Sequence, residues 1–165
     1  MGTLRCSEWS LPRKPEKSYT FRAPSLPNRK PMTIAAGFRY ENGILLATDT
    51  QHTFYSMMKL SRPKLIQLDF LDRKARVGIA IAGDVSFATM ATESLESVLQ
   101  TADLSHESIK TNIGDVVLGL YQKHIQPFNK TEYSFDLLCA VWTKEEGLML
   151  LQTNATSITE ISLAG

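Results

Sequence analysis

Met32-Thr-Ile-Ala-Ala-Gly-Phe-Arg-Tyr-Glu-Asn-Gly-Ile-Leu-Leu-Ala-Thr-Asp49 decides the fold. Two runs suited to strands flank Asn42-Gly43, a dipeptide that tolerates the positive φ of a tight hairpin turn. The pattern predicts strands over 33–40 and 43–50 whose far ends meet. Asp49 then lies near Thr33, and Met32 stands just before the first strand. A chain cut after Met32 would present Thr33 as an N-terminal nucleophile. Without that chemistry the same stretch is an ordinary two-stranded ribbon, and a threonine opening a strand is simply a good strand former.

Downstream come Arg62-Pro-Lys64-Leu-Ile-Gln-Leu-Asp69, then Val77-Gly-Ile-Ala80-Ile-Ala-Gly83-Asp84, then a helix-like run from Val85. Taken with the hairpin, this order resembles a proteasome β-type subunit and its simpler bacterial relatives, members of the N-terminal nucleophile hydrolase superfamily. The resemblance runs from about Met32 to Gly165. Four places carry it: the threonine at the strand start, Ala-Thr-Asp ending the hairpin, Lys-Leu-Ile-Gln-Leu-Asp, and Ala-Gly-Asp before the first helix.

The resemblance implies an α+β fold, the αββα four-layer sandwich of N-terminal nucleophile hydrolases. It also implies that the sandwich is incomplete after Ser162-Leu-Ala-Gly165, where family members continue with further helices and strands. An apolar sheet face left uncovered in this way favours association. The residue pattern agrees on fold class: further strands are predicted at 64–69, 75–82, 134–142, 147–153 and 157–163, around two consecutive helices at 85–101 and 106–125. Strands, two helices, then strands again describe layers rather than alternating βαβ units. Spacings of three and four put Phe87, Met90, Ala91, Leu95 and Val98 on one face of the first helix. Ile109, Ile113, Val116, Val117, Leu120 and His124 do so on the second, with Asp103 or Ser105 as its cap.

Residues 1–32 read as a separate, disordered extension or propeptide, and 33–165 as the proteasome-like domain. Five of the seven prolines and seven Lys or Arg fall before Met32, with only Glu8 and Glu16 opposing them. This stretch shows no period of a strand or helix. A start at Met32 followed by removal of that methionine would expose Thr33 directly. The extension carries +5 of the chain's net +1, so the remainder carries −4. A mildly acidic domain without a basic stripe argues against nucleic acid as a partner. No apolar run reaches the roughly 20 residues of a membrane-spanning helix. The two cysteines, Cys6 and Cys139, form no disulfide framework, which points to a reducing, cytoplasmic setting.

A threonine hydroxyl attacks well only when a base removes its proton, and an N-terminal residue carries that base in its own α-amine. The unperturbed amine has a pKa of about 7.7–8.0, so a modest decrease supplies neutral base at physiological pH. By resemblance, Thr33 is nucleophile and base, Lys64 lowers the amine's pKa, and Asp49 pairs with Lys64. Ala80 occupies the position whose N–H would face the developing oxyanion, where the family usually has glycine. The resemblance further implies rings of subunits, polypeptide substrates, a possible ATP-dependent unfoldase and no cofactor. A non-catalytic subunit or remnant of the same fold is the main alternative, and an amidohydrolase acting on small amides a further one. His52, His106 and His124 have no metal-ligand spacing. Met57-Met58 reads as packing, and the triplets at Asn129 and Asn154 as accidental matches to the glycosylation pattern.

Overall fold

The computed structural model describes residues 17–22, 34–54, 58–61, 63–128, 134–154 and 157–161. A first antiparallel sheet orders β1 (Lys17–Arg22), β2 (Ile34–Tyr40) and β3 (Gly43–Thr48). Tyr40 pairs with Gly43, so the hairpin turn occupies Glu41-Asn42, one position earlier than Asn42-Gly43. Gly43 instead closes the four-residue turn, a place that glycine favours in the commonest turn type. Two short strands, β4 (Gln51–Phe54) and β5 (Met58–Ser61), form a separate ribbon where the sequence suggests only a connection.

The second sheet is antiparallel and five-stranded. β7 (Ala75–Gly83) and β8 (Phe135–Thr143) lie inside it, flanked by β6 (Leu65–Phe70) on one side and by β9 (Gly147–Asn154) and β10 (Ser157–Glu160) on the other. Helices α1 (Val85–Thr101) and α2 (His106–Leu120) cover one face of this sheet, and the first sheet covers the other. Helix, sheet, sheet are three layers of the expected αββα sandwich. Among the described residues no helix covers the outer face of the first sheet, where Ile34 and Leu45 are 46% and 51% exposed.

The two cores differ in grain. Against the helices the sheet presents Val77, Ile79, Ile81, Leu137, Cys139, Val141, Met149 and Leu151, all buried. Between the sheets the buried residues are smaller: Ala35, Ala80 and Ala82 meet Leu138, Leu150 and Ile161. Gly37 belongs here too, since an added Cβ would sit 2.9 Å from a Leu138 methyl group.

Helix α1 starts where Ala-Gly-Asp places it. The Asp84 carboxylate accepts the Ser86 and Phe87 amides at 2.9 and 3.2 Å, an N-cap that satisfies two otherwise orphaned donors. Gly83 precedes it at φ +89, with no room for a Cβ beside the Ser134 carbonyl. The buried face is Ala88, Ala91, Thr92, Leu95 and Leu99, rotated from the expected one and leaving Met90 exposed. Small Ala88 and Ala91 let the helix sit close to the sheet, and the Thr92 hydroxyl is satisfied by the Ala88 carbonyl at 2.7 Å. Helix α2 buries Ile109, Ile113, Val117 and Leu120 and is capped by Ser105 rather than Asp103. It then loosens into a π-helical turn over Tyr121–Ile125.

Composition predicts no regular structure before Met32, yet Lys17–Arg22 pairs along β2 from Lys17 opposite Arg39 to Arg22 opposite Ile34. The segment lies between Pro15 and Pro24 and contains Tyr, Thr and Phe, all good strand formers. Local composition misses it because its stability comes from a partner edge, not from its own pattern.

Candidate active site

Asp49 follows β3 directly and Lys64 directly precedes β6, so the two side chains come from different sheets. Lys64 Nζ lies 3.0 and 3.1 Å from the two Asp49 carboxylate oxygens. The lysine is 2% exposed and the aspartate 30%, which makes this a mostly desolvated pair open to solvent on the carboxylate side. A lysine so buried is stable as a cation only with a partner of this kind.

Asp49 is tied equally firmly to the start of β2. Its amide donates to the Ile34 carbonyl at 3.1 Å, and its carboxylate accepts the Ile34 amide at 3.2 Å. Lys64 is anchored in turn through its carbonyl, which accepts the Ile81 amide at 2.9 Å. A continuous chain of contacts therefore runs from Ile34 through Asp49 and Lys64 to Ile81, joining β2 of one sheet to β7 of the other. Thr33 lies outside the described residues. It is the covalent neighbour of Ile34, so the Lys64–Asp49 pair is connected to a backbone amide one residue from the expected nucleophile. No sequence motif marks Ile34 as a participant, although its place opposite Asp49 follows from the hairpin register.

Ala80 is not placed as the resemblance implies. Successive residues of a strand form their main-chain bonds on alternate sides. Because the Ile81 amide faces Lys64, the Ala80 N–H faces the other way, toward β8 and its register partner Leu138. That donor belongs to the β7–β8 ladder rather than to an open cleft. The Ala80 side chain is fully buried between the sheets.

A cavity of about 510 Å³ opens between the sheets toward the turn end of the hairpin, lined by Ile44, Leu46, Leu65, Gly78, Trp142 and Leu148 among others but by none of Ile34, Asp49, Lys64 or Ala80. Among the described residues no three His, Cys, Asp or Glu side chains could jointly hold a metal ion. His106 meets Glu146, its Nδ1 lying 3.5 Å from the carboxylate, and His124 lies near the Phe87 ring. The His52 backbone pairs opposite Leu60 in the ribbon. Met57, Cys6 and the Asn129 triplet lie outside the described residues, and of the second triplet only Asn154 is described, exposed at the end of β9. No helix among the described residues is long and apolar enough to cross a membrane.

The sequence profile of the family described as Proteasome subunit matches residues 32–160. The chain belongs to the proteasome subunit family. Membership covers the hairpin, the Lys64–Asp49 pair, both helices and the strands that follow. Solved structures agree on the fold. Anbu, an ancestral beta-subunit, from Yersinia bercovieri superposes with a TM-score of 0.67 at 16% identity, covering 76% of this chain and 55% of that one. A Gly-1 mutant of Anbu from Hyphomicrobium sp. strain MC1 gives a TM-score of 0.67 at 17% identity, covering 79% and 56%. The helical assembly of the Anbu complex from Pseudomonas aeruginosa gives a TM-score of 0.60 at 9% identity, covering 78% and 56%. This proteasome-family chain thus spans a little over half the length of the solved chains it matches. No curated protein matches it.

Proposed function

We propose that this chain is a proteasome-type subunit acting as a threonine endopeptidase when Thr33 is its first residue. One observation carries the reading: the buried Lys64 is paired at 3.0 Å with the Asp49 carboxylate, which itself accepts the amide of Ile34, the residue next to Thr33. In this mechanism the Thr33 hydroxyl attacks a peptide carbonyl and its proton passes to the α-amine. The leaving amine takes that proton as the tetrahedral species collapses to an ester on Thr33. Water then enters the same path and releases the acid. A lysine cation beside the α-amine lowers its pKa and keeps it neutral enough to act as base. Asp49 holds that lysine in place.

Unfolded polypeptide in a ring or helical assembly of subunits is the proposed setting, with a cytoplasmic location and an ATP-dependent unfoldase as possible partner. The family and the assembly described for the Pseudomonas aeruginosa neighbour support this much by analogy. A second reading, a non-catalytic subunit of the same fold, is favoured by one specific observation: the Ala80 amide points into the β7–β8 ladder, so this position offers no oxyanion donor. Cleavage of a fluorogenic peptide by the chain beginning at Thr33 separates the two. Turnover that disappears in Thr33→Ala with the fold retained supports the peptidase. Turnover equal in the two, or absent from both, overturns it.

A further inference from the structure

The start of β8 is held on one side by main chain and on the other by two side-chain hydroxyls. Asp84 donates its amide to the Ser134 carbonyl at 3.0 Å, so the main-chain groups of Ser134 face β7. By alternation those of Phe135 and Leu137 face the other way, toward β9. The β8–β9 register opens at Leu138 opposite Gln152. Just before it the Thr153 hydroxyl accepts the Leu137 amide at 2.8 Å, and the Tyr121 hydroxyl takes both the amide and the carbonyl of Phe135 within 2.9 Å. Both side chains are buried, where removing a hydrogen-bond partner costs more than it does at a surface.

What these hydroxyls hold is the stretch of β7 that places the lysine. Ile81, Ala82 and Gly83 pair with Leu137, Asp136 and Phe135. On the other side of β7 the β6 register ends at Leu65 opposite Ala80, and one further bond, from the Ile81 amide to the Lys64 carbonyl, fixes the lysine's backbone. There is little slack between the two strands: a Cβ on Gly83 would lie 2.8 Å from the Phe135 Cα, so backbone meets backbone with no side chain to absorb a shift. We propose that Tyr121 and Thr153 are positioning residues for the Lys64–Asp49 pair, acting through residues 135–137 of β8 and 81–83 of β7. The pair is sensitive to such placement, because Lys64 Nζ meets both Asp49 oxygens within 3.1 Å from a desolvated position. Its bearing on catalysis rests on the function proposed above, in which the lysine cation sets the Thr33 amine. Tyr121 opens the π-helical turn after α2, so the same contacts tie the pair to the end of that helix.

A double-mutant cycle between Lys64→Met and Asp49→Asn, read by urea unfolding of the full chain, measures the pair without any hydrolysis, so its failure is distinguishable from failure of the peptidase reading. Repeated in a Tyr121→Phe background, the coupling, expressed as a ratio of equilibrium constants, should fall about threefold or more. Thr153→Val should have the same effect, and Thr153→Ser, which keeps the hydroxyl, should retain the full coupling. Val141→Ala opens a cavity in the same strand opposite Val77, away from the end of β7. It should lower stability and leave the coupling unchanged. Should Tyr121→Phe fail to fold, the two Thr153 variants carry the test. In an active chain beginning at Thr33, Tyr121→Phe should also move the acidic limb of the kcat/KM profile to higher pH, since a misplaced cation lowers the amine's pKa less. Coupling unchanged in a folded Tyr121→Phe or in Thr153→Val overturns the proposal. So does an equal loss in Val141→Ala or in Thr153→Ser, or an acidic limb that does not move. A chain without turnover overturns the peptidase reading alone, and the cycle still decides this one.

Discussion

Tyr121 satisfies both main-chain groups of Phe135 with one hydroxyl: it donates to the Phe135 carbonyl at 2.7 Å and accepts the Phe135 amide at 2.9 Å. The rings stack 5.2 Å apart. The π-helical turn after α2 is thereby pinned to the first residue of β8. Tyr121→Phe keeps the stacking but strands a buried donor and acceptor, and should cost on the order of 1–3 kcal/mol. Urea unfolding with an unchanged slope and a lowered midpoint would show it.

The Lys64–Asp49 pair should be strongly coupled. Lys64→Met leaves a carboxylate facing a desolvated pocket, for an expected loss of roughly 2–4 kcal/mol, below the full cost of breaking a buried pair because Asp49 is partly exposed. Asp49→Asn should cost at least as much, since it removes the counter-charge of the nearly fully buried Lys64 ammonium even though the amide oxygen can still accept a hydrogen bond. The double variant should be more stable than the sum of the single losses predicts. Peptidase turnover, if Thr33 is the nucleophile, should fall in both single variants. A double-mutant cycle by chemical unfolding measures the first effect and a fluorogenic peptide the second.

Gly83→Ala should be among the most damaging small changes in the chain. The backbone at φ +89 is strained for any L side chain, and the new Cβ would lie 2.3 Å from the Ser134 carbonyl oxygen. Relief requires breaking the start of the β7–β8 pairing and shifting the Asp84 cap. The expected result is a large drop in melting temperature or loss of folded protein, and circular dichroism on heating reads it directly.

Burial pushes the Cys139 thiol up to about 12 from an ordinary 9.0, and burial likewise raises Tyr121 to about 12 from 10.0. Both folded-state values exceed the unfolded ones, so the folded chain keeps protons that the unfolded chain loses. Stability should therefore fall as pH rises above about 9 through Cys139, and faster above about 10 as Tyr121 joins. Each group contributes a slope of roughly 1.4 kcal/mol per pH unit until about 12. Unfolding midpoints measured between pH 8 and 11 test the sign.

The same burial makes Cys139 unreactive while the chain is folded. Iodoacetamide at about pH 8, near the range where free thiols ionise, should leave the peptide bearing Cys139 unmodified. Full alkylation should appear only in denaturant, as read by mass spectrometry after digestion.

What the sequence made legible is what residue type and short-range spacing control. The strands flanking Asp49 and Lys64, the Gly83-Asp84 helix start and the order of layers all follow from such patterns. The Lys64–Asp49 contact itself came from resemblance, and the geometry agrees with it. What stayed hidden depends on phase or on distant partners. Ala80 was matched by position, but whether its amide faces β6 or β8 is set by strand alternation, and one residue reverses it. The buried face of α1 was missed because Ala88 and Thr92 add little to an apolar pattern while Met90 adds much. β1 was missed because its pairing partner lies beyond an eleven-residue connection rich in proline.

The small side chains between the sheets give the Lys64–Asp49 contact a further meaning. With Ala35, Gly37, Ala80 and Ala82 at the seam, the gap between the sheets is narrow and intolerant of added volume. Asp49 is fixed to one sheet through Ile34, and Lys64 to the other through Ile81. The ion pair thus works as a caliper across the sandwich: any partner, substitution or assembly contact that wedges the sheets apart will register first as a lengthening between Nζ and the carboxylate. Chemistry at the end of β2 would in this way be tuned by groups that never touch it.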